Sequence, residues 1–311
     1  MNKRFEWIDN IRGLMIILVA LGHIIVDGSI DNTFNSIMRM PTFFMISGFL
    51  FKFKPYKAYL KHKFIHLIIP YFVYLVPILA LQMYFEEKSY LEYLGRLVLG
   101  GPFLYTWTGV FWFITCLFFT QQIFNLLNGW KIKKIGLLMF LFLILAYINQ
   151  LYFQTINIPL SLNICLYSCP LFFTGFLFKK LIGEVHLAKI VPLISIIIIF
   201  IASTFYFNEL YINMKLANYG IPFLSFILSI LSAFCMIKLF KSFEKNVGLN
   251  IIGKASMVIM YLHLPINYLI LNFYPNFNQW LLLLIAISIP TCLYYVFRRN
   301  NITKKYLLGE H

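Results

Sequence analysis

Residues 7–23 read WIDNIRGLMIILVALGH. Apart from a few polar side chains, among them Asp9, Arg12 and His23, the stretch is apolar, and it approaches the roughly 20 residues that a helix needs to cross a bilayer. Asp9 and Arg12 interrupt the core that a cleaved signal peptide would have, and no small-residue cleavage site follows. We therefore predict that this segment is retained as a first membrane span.

Apolar runs of similar length fill the rest of the chain. Of its 311 residues, 61% are hydrophobic and 12% are charged, and the mean hydropathy is +0.80, which excludes a soluble globular protein. The sequence predicts an all-α, polytopic membrane protein of about ten transmembrane helices, with residues 1–311 forming a single domain. The predicted spans lie near residues 8–26, 35–52, 64–84, 109–128, 134–149, 160–180, 189–207, 219–239, 251–273 and 279–297.

The charge distribution predicts the orientation of these spans. The 26 Lys and Arg residues outnumber the 11 Asp and Glu residues, giving a net charge of +15. In a soluble protein this would suggest a nucleic-acid partner, but here the basic residues flank apolar runs and no such partner is expected. If the spans alternate, 21 basic residues collect on the side of the N-terminus and only Lys88, Arg96 and Lys215 lie opposite. The positive-inside rule then predicts that both termini are cytoplasmic.

The cysteines give no sign of a disulfide framework. They are five in number, which is odd, and all lie in apolar runs. We expect neither a metal site nor a permanently bound cofactor.

Ionisable residues inside a span are functional candidates, because a charge in the bilayer needs a partner or a water-filled cavity. Arg12 and His23 are eleven residues apart, which on a continuous helix places them within roughly 20° of one face and about 16 Å apart along the axis. Asp9 lies three residues before Arg12 and can pair with it. The alternatives are an ion pair that anchors the helix entrance and a histidine bonded to a nearby carbonyl.

Three further candidates have structural alternatives. Ser47, followed by Gly48, is more typical of close helix packing than of a nucleophile. Arg39 could snorkel to the membrane surface or hold an anionic or carbonyl group. His263 lies midway along the ninth predicted span beside Pro265, whose ring frees a carbonyl that a structural histidine could bind.

Two connections carry additional signals. Residues 52–66 contain five lysines and two histidines, which fits a topological anchor on anionic lipid or a phosphate site. The connection between residues 85 and 108 is acidic and aromatic, and residues 90–99 have helical apolar spacing that would suit a helix lying in the membrane interface. Its aromatic residues could form an interfacial belt or a wall of a substrate site.

Taken in chain order, these residues resemble the acyltransferase-3 type of integral-membrane acyltransferase, particularly its fucose-acetylase-like branch. The resemblance extends from residue 9 to 265. Two departures are His66, where members commonly have an arginine before Pro-Tyr, and Arg39, where this branch often has a histidine before Met-Pro. The matching residues are Asp9, Arg12, Gly13, His23, Pro41, Phe43, Phe44, Ser47, Gly48, Phe49, Pro70, Tyr71, Trp112, Phe113, Gly253, Ser256, Tyr261, Leu262 and His263.

The resemblance implies transfer of an acyl group, usually acetyl, from cytoplasmic acyl-CoA to a hydroxyl of a cell-envelope or exported glycan. It implies a multi-pass protein of a bacterial plasma membrane, with acetyl-CoA as co-substrate and the glycan and membrane lipid as partners. It assigns catalysis to His23, Arg12 and Asp9. The remaining assignments are acyl-CoA binding by Lys61, Lys63, His66 and Ser47, and acceptor contacts by Arg39, Trp112 and His263.

The residues support a matching mechanism. The pantetheine arm of acyl-CoA is narrow and about as long as the predicted separation of Arg12 and His23, so the headgroup could stay at the lysine-rich loop. His23 would be a general base on the acceptor hydroxyl, since an imidazole titrates near neutral pH. The alternative is a transporter or flippase for a glycan or lipid-linked sugar, which would also use intramembrane charges. A receptor or scaffold has no need of aligned Arg and His.

The predicted topology can be tested by thiol labelling. In a variant without the native cysteines, Lys133→Cys should be protected from an impermeant thiol reagent in intact cells, and Glu209→Cys should react, because the two loops are predicted to lie on opposite sides. Labelling of Lys133→Cys from outside would contradict the ten-span arrangement.

Overall fold

A computed structural model describes residues 6–24, 30–86, 88–184, 190–242 and 248–310. Both termini therefore lie outside the described residues, as does the predicted end of the first span at residue 26. Nearly all of the regular structure is helical, as expected for an all-α protein. The two exceptions are the two-residue strands β1, Ile212–Asn213, and β2, Asn218–Tyr219, which pair antiparallel.

The α-helices follow one another with short connections. In chain order they are α1 Glu6–Leu21, α2 Ile30–Leu50, α3 Tyr56–Lys63, α4 Ile69–Glu86, α5 Tyr90–Leu99, α6 Trp112–Leu126, α7 Ile132–Tyr152, α8 Cys165–Glu184, α9 Ile190–Phe205, α10 Phe207–Leu210, α11 Leu224–Ser242, α12 Leu249–Lys254, α13 Ser256–Phe273, α14 Gln279–Phe297 and α15 Asn301–Leu308. A π-helical turn, Phe64–Ile68, joins α3 to α4. Proline at position 70 explains this turn, because its ring lacks the N–H that would bind the carbonyl of His66.

In the described part of the chain, seven helical segments are long and apolar enough to cross a membrane. They coincide with the third to sixth and eighth to tenth predicted spans, so the protein is a polytopic, helical membrane protein. The other three predicted spans coincide with α1 and α9, which have 16 residues each, and with the more polar α2. The total of ten spans and the side of the termini stay predictions.

Two helix boundaries differ from the predicted spans. The first helix ends at Leu21, so His23 lies in a turn in which its N–H donates to the carbonyl of Ala20. The predicted span near 251–273 is interrupted at Ala255, which separates the short α12 from α13. Hydropathy averaged over a span could not show either break, because apolar runs lie on both sides of the polar residues His23, Lys254 and Ser256.

The chain groups into two compact units, each assembled from separate stretches of sequence. Unit 1 comprises residues 1–52, 129–154 and 166–254, and unit 2 comprises residues 53–128, 155–165 and 255–311. The prediction of a single domain stays a prediction. The candidate residues of α1 and α2 belong to unit 1, and those of α3, α6 and α13 belong to unit 2.

Unit 1 depends on glycines that bring helix backbones together. Gly13 of α1 faces the backbone of Leu249 and Gly253, while Gly253 of α12 faces the carbonyl of Asp9. A Cβ atom added at either glycine would lie within 3.2 Å of the other's backbone nitrogen and still closer to a carbonyl. Small residues allow this approach, and close packing is what holds helices together in a bilayer.

A second pair of glycines repeats this arrangement in unit 1. Gly48 of α2 faces the backbone of Phe172 in α8, and Gly175 of α8 faces the backbone of Met45 in α2. These reciprocal contacts show that the small residues Ser47 and Gly48 belong to a surface on which α2 packs closely against α8. Helix α2 also packs against α1 and α11.

Unit 2 is built around α4, which packs against α5 and α15, while α13 packs against α14. Residues 90–99 form a helix, α5, as the sequence predicts, and the apolar face of this helix is its exposed face. Its apolar side chains Leu91, Leu94 and Val98 are exposed, whereas Tyr93 and Arg96 are buried. An exposed apolar face suits a helix at a membrane surface, and its interfacial position stays a prediction.

The glycine contacts predict a difference in stability. Gly13→Ala and Gly253→Ala should each lower the free energy of unfolding by about 1–3 kcal/mol, because the added methyl group meets backbone that cannot rotate away. Gly136→Ala in α7 is the control, since its Cβ would lie 3.7 Å from the Phe173 ring, an ordinary contact. Denaturant unfolding in detergent measures these changes. Equal stability of all three variants would show that the α1–α12 contact is looser than described.

Candidate active site

The structure confirms the predicted pairing of Asp9 and Arg12 on α1. Arg12 Nη1 lies 3.7 Å from Asp9 Oδ1, and the Asp9 side chain is 2% exposed against 31% for Arg12. Asp9 is buried because the adjoining backbone is in contact with Gly253. A buried carboxylate requires a partner charge, so Asp9 orients the guanidinium. The accessible part of Arg12 can still reach a carbonyl or a phosphate.

His23 is accessible and lies beside a second guanidinium. Its side chain is exposed in the turn that follows α1. The preceding residue, Gly22, is buried, and the guanidinium of Arg39 occupies the space where a side chain at position 22 would begin. A Cβ atom on Gly22 would lie 2.6 Å from Arg39 Cζ. The fold thus places a cation from α2 next to the residue that precedes the imidazole.

This geometry changes how Arg12 and His23 are related. The prediction that Arg12 and His23 share one helix face assumed a continuous helix, but α1 ends two residues before His23. The N–H of Gly22 still donates to the carbonyl of Leu18 in the α-helical pattern, whereas the N–H of His23 donates to Ala20, only three residues earlier, so the helix tightens into a turn at its end. Arg12 therefore lies on the helix, and His23 lies in the turn beyond it with Arg39 nearby.

Ser47 is held by its own helix. Its Oγ donates a hydrogen bond of 2.9 Å to the carbonyl of Phe43, one turn earlier in α2. This bond is typical of a serine within a membrane helix and fits the packing role. Its assignment to acyl-CoA binding stays a prediction.

Unit 2 carries the basic cluster at the start of its longest helical segment. Lys61 is exposed on α3, and Lys63 Nζ lies 5.5 Å from the ring centroid of Tyr59. The Nε2 atoms of His62 and His66 are 2.9 Å apart, so one ring donates a hydrogen bond to the other. The cluster presents several N–H donors and positive charges, which fits a phosphate site. His62 was not among the predicted site residues.

His263 and Trp112 are both buried in unit 2. The Nδ1 atom of His263 lies 2.7 Å from the carbonyl of Ile259, to which it donates, and this is the type of bond expected of a structural histidine. The acceptor differs from the carbonyl that Pro265 would free, because Ile259 lies one turn before His263 itself. Trp112 begins α6 and packs edge-on against Phe113, with ring centroids 6.2 Å apart.

A polar network joins α5 to the C-terminal end of α4, where the hydroxyl of Tyr93 donates to Glu86 at 3.1 Å. Arg96 donates to Glu92 at 2.5 Å and also to the hydroxyl of Tyr105, which donates to Glu92. The hydrogen bonds from Tyr105 and Arg96 lower the pKa of the Glu92 carboxyl. Nearby, Gln82 donates to Glu86 at 2.8 Å. The sequence contains a signal for part of this network, since Glu92 and Arg96 are four residues apart.

The helical membrane fold and the residues described above can be compared with known protein families. A family model described as an acyltransferase domain matches residues 5–299. Because the match covers nearly the whole chain, the protein belongs to the acyltransferase-3 family, and the predicted membership of this family is confirmed. It is a membrane acyltransferase that requires an acyl donor and an acceptor substrate. Comparisons with curated proteins and with solved structures gave no match.

The contact between Gly22 and Arg39 predicts a separation of activity from stability. Gly22→Ala should displace the guanidinium, which lies at the end of a flexible side chain, at little cost to folding. We expect acyl transfer to fall at least roughly 10-fold, the usual effect of losing one charged hydrogen bond. Transfer rates and unfolding midpoints of the purified variant check both parts. Normal transfer by Gly22→Ala would show that the position of Arg39 is unimportant.

Proposed function

We propose that this protein is an O-acyltransferase that moves an acyl group, in the simplest case acetyl, from cytoplasmic acyl-CoA to a hydroxyl of a cell-envelope or exported glycan. The observation that best supports this proposal is the exposed imidazole of His23 in the turn beside Arg39. An accessible base and a guanidinium are the two groups that acyl transfer to a hydroxyl needs. The proposed setting is a bacterial plasma membrane, with ten spans and both termini cytoplasmic.

In the proposed reaction His23 removes the proton from the acceptor hydroxyl as its oxygen attacks the thioester carbonyl. The C–O bond forms, and the carbonyl oxygen becomes an oxyanion. Collapse of this intermediate breaks the C–S bond, and the departing sulfur takes the proton from the imidazolium. Arg39 would stabilise the developing oxyanion, because a charged N–H donor acts most strongly where negative charge appears.

Arg12 would bind the donor, with Asp9 holding its guanidinium in one orientation. The buried carboxylate at 3.7 Å fixes the position of the charge, and the exposed part of Arg12 is available for a carbonyl or phosphate oxygen. Planar donation of this kind is specific to arginine. In unit 2, Lys61, Lys63 and His66 would contribute phosphate contacts.

The class of acceptor can be tested directly by analysing the glycans of intact cells. Mass spectrometry of surface glycans from cells with and without the protein should differ by one acetyl mass for each modified hydroxyl. A carrier would instead change the amount of glycan delivered and would consume no acyl-CoA. An unchanged acyl content with altered glycan abundance would favour the carrier.

The role of His23 is tested by two substitutions. His23→Ala and His23→Gln should each lower kcat by roughly 10² to 10⁴ fold, the usual contribution of a general base, while the protein remains folded and inserted. Transfer of a labelled acetyl group in membranes of matched protein abundance measures this loss. Arg12→Lys should also lose most transfer, because an ammonium cannot reproduce planar donation.

His263→Ala is the comparison for these variants. His263 is buried and bonded to its own helix, so we expect a smaller loss of transfer and a larger loss of stability. Near-normal transfer by His23→Gln would mean that His23 is not the base, and His263 would then become the leading candidate.

A further inference from the structure

Three tyrosine side chains form a buried cluster within unit 2, called here the tyrosine cluster: Tyr71 and Tyr74 of α4 and Tyr261 of α13. Their exposed fractions are 2%, 5% and 0%. The rings of Tyr74 and Tyr261 are stacked, with centroids 4.6 Å apart and an interplanar angle of 18°. Phe111 contacts both Tyr71 and Tyr261, at 5.7 and 5.0 Å between centroids, and closes the cluster.

The hydroxyls of the tyrosine cluster are unsatisfied. Within the described ranges, none of the three has a hydrogen-bond partner. Burying one hydroxyl in this way is unfavourable, and folded proteins normally supply such a group with a partner, a water or a ligand. Phenylalanine would pack equally well at these positions without the penalty. Three such hydroxyls together indicate a ligand that brings hydrogen-bond acceptors into an apolar surrounding.

The position of the cluster along the chain limits what that ligand is. Residues 56–86 form one helical segment of 31 residues, which begins with the basic cluster of α3. At 1.5 Å per residue, Tyr71 lies about 12 Å and Tyr74 about 16 Å beyond Lys63 along this segment. A ligand that follows the helix from its basic end would therefore place phosphates first and an uncharged part at the tyrosines.

Gln82 continues the same face of α4. It lies eleven residues, or about three turns, after Tyr71, which at 100° per residue places it within roughly 20° of the same direction, and it is fully buried. Its Oε1 atom has no hydrogen-bond partner in the part of the chain that the structure describes. Groups capable of hydrogen bonding thus occur along one face of α4, from its basic end towards its other end.

We propose that the tyrosine cluster binds the pantetheine arm of the acyl donor, with the tyrosine hydroxyls donating to its amide carbonyls. The inference rests on acyl-CoA being the donor, as in the proposed function. The arm is narrow and uncharged, and it carries two amides, so it matches buried neutral donors that follow a cationic site. A lipid tail has no acceptors to offer, and a phosphate would require cations, which the tyrosine cluster lacks.

Binding of two ligands to the full-length purified protein separates the arm from the nucleotide. Desulfo-CoA contains both parts, and adenosine 3′,5′-bisphosphate contains the nucleotide part without the arm. Tyr71→Phe, Tyr74→Phe and Tyr261→Phe should each weaken desulfo-CoA binding by roughly 3- to 10-fold, the effect of one lost hydrogen bond. The three variants should bind the bisphosphate like the parent.

Two controls define the result. Tyr84→Phe removes a hydroxyl from the same helix, but Tyr84 is 77% exposed and the change should leave both affinities unaltered. Lys61→Gln combined with Lys63→Gln should weaken both ligands, because it removes charge at the phosphates. The unfolding midpoints of the three cluster variants should equal or exceed that of the parent, since each loses a hydroxyl that has no partner.

The outcomes that overturn the inference are distinct from failure of the proposed function. If the parent binds desulfo-CoA and all three cluster variants bind it equally well, the tyrosine cluster does not hold the arm. Lower unfolding midpoints with unchanged desulfo-CoA binding would show that the hydroxyls are structural, which also overturns it. If the parent binds neither ligand, the proposed donor is wrong, and this inference fails with it.

Discussion

The contact between α1 and α12 in unit 1 is possible only because Gly13 and Gly253 have no side chains. In lipid, apolar side chains gain little by leaving their surroundings for one another, so association depends on how closely the backbones approach. This contact buries Asp9, whose charge then requires Arg12. Gly48 and Gly175 bring α2 and α8 together in the same way, in the unit that also places Arg39 against Gly22. Glycine contacts therefore help to position Asp9, Arg12 and Arg39 in unit 1.

Polar groups in the two units differ in how they are satisfied. Asp9 and Arg12 pair with each other, Ser47 and His263 bind carbonyls of their own helices, and the α5 network is closed by Glu92 and Arg96. These arrangements need no ligand. The His23 side chain and the tyrosine cluster are different, since the first is exposed and the hydroxyls of the second are buried without partners among the described residues. Because the buried hydroxyls of the tyrosine cluster are unfavourable without a partner and the imidazole of His23 is accessible, we expect substrate contacts at these two places.

The break in α1 shows how one residue alters a mechanism inferred from helical periodicity. On a continuous helix Arg12 and His23 would lie on the same face. The helix instead ends at Leu21, inside an apolar run, so hydropathy does not mark its end. The next residue, Gly22, leaves open the space that the guanidinium of Arg39 occupies. The consequence is a base that is exposed in a turn, next to a cation that belongs to another helix.

Composition and apolar run length were sufficient to predict a helical, multi-pass membrane protein, because lipid requires every backbone polar group to be paired and an apolar run of about 20 residues meets this requirement as a helix. The motifs between residues 9 and 265, taken in chain order, were sufficient for the family, and the spacing of Asp9 and Arg12 was sufficient for their ion pair. The tertiary structure decided that α1 ends before His23, that Arg39 lies against Gly22, and that the tyrosines of α4 and α13 meet. These contacts join residues from different helices, and no local pattern encodes them because they depend on which backbones can approach.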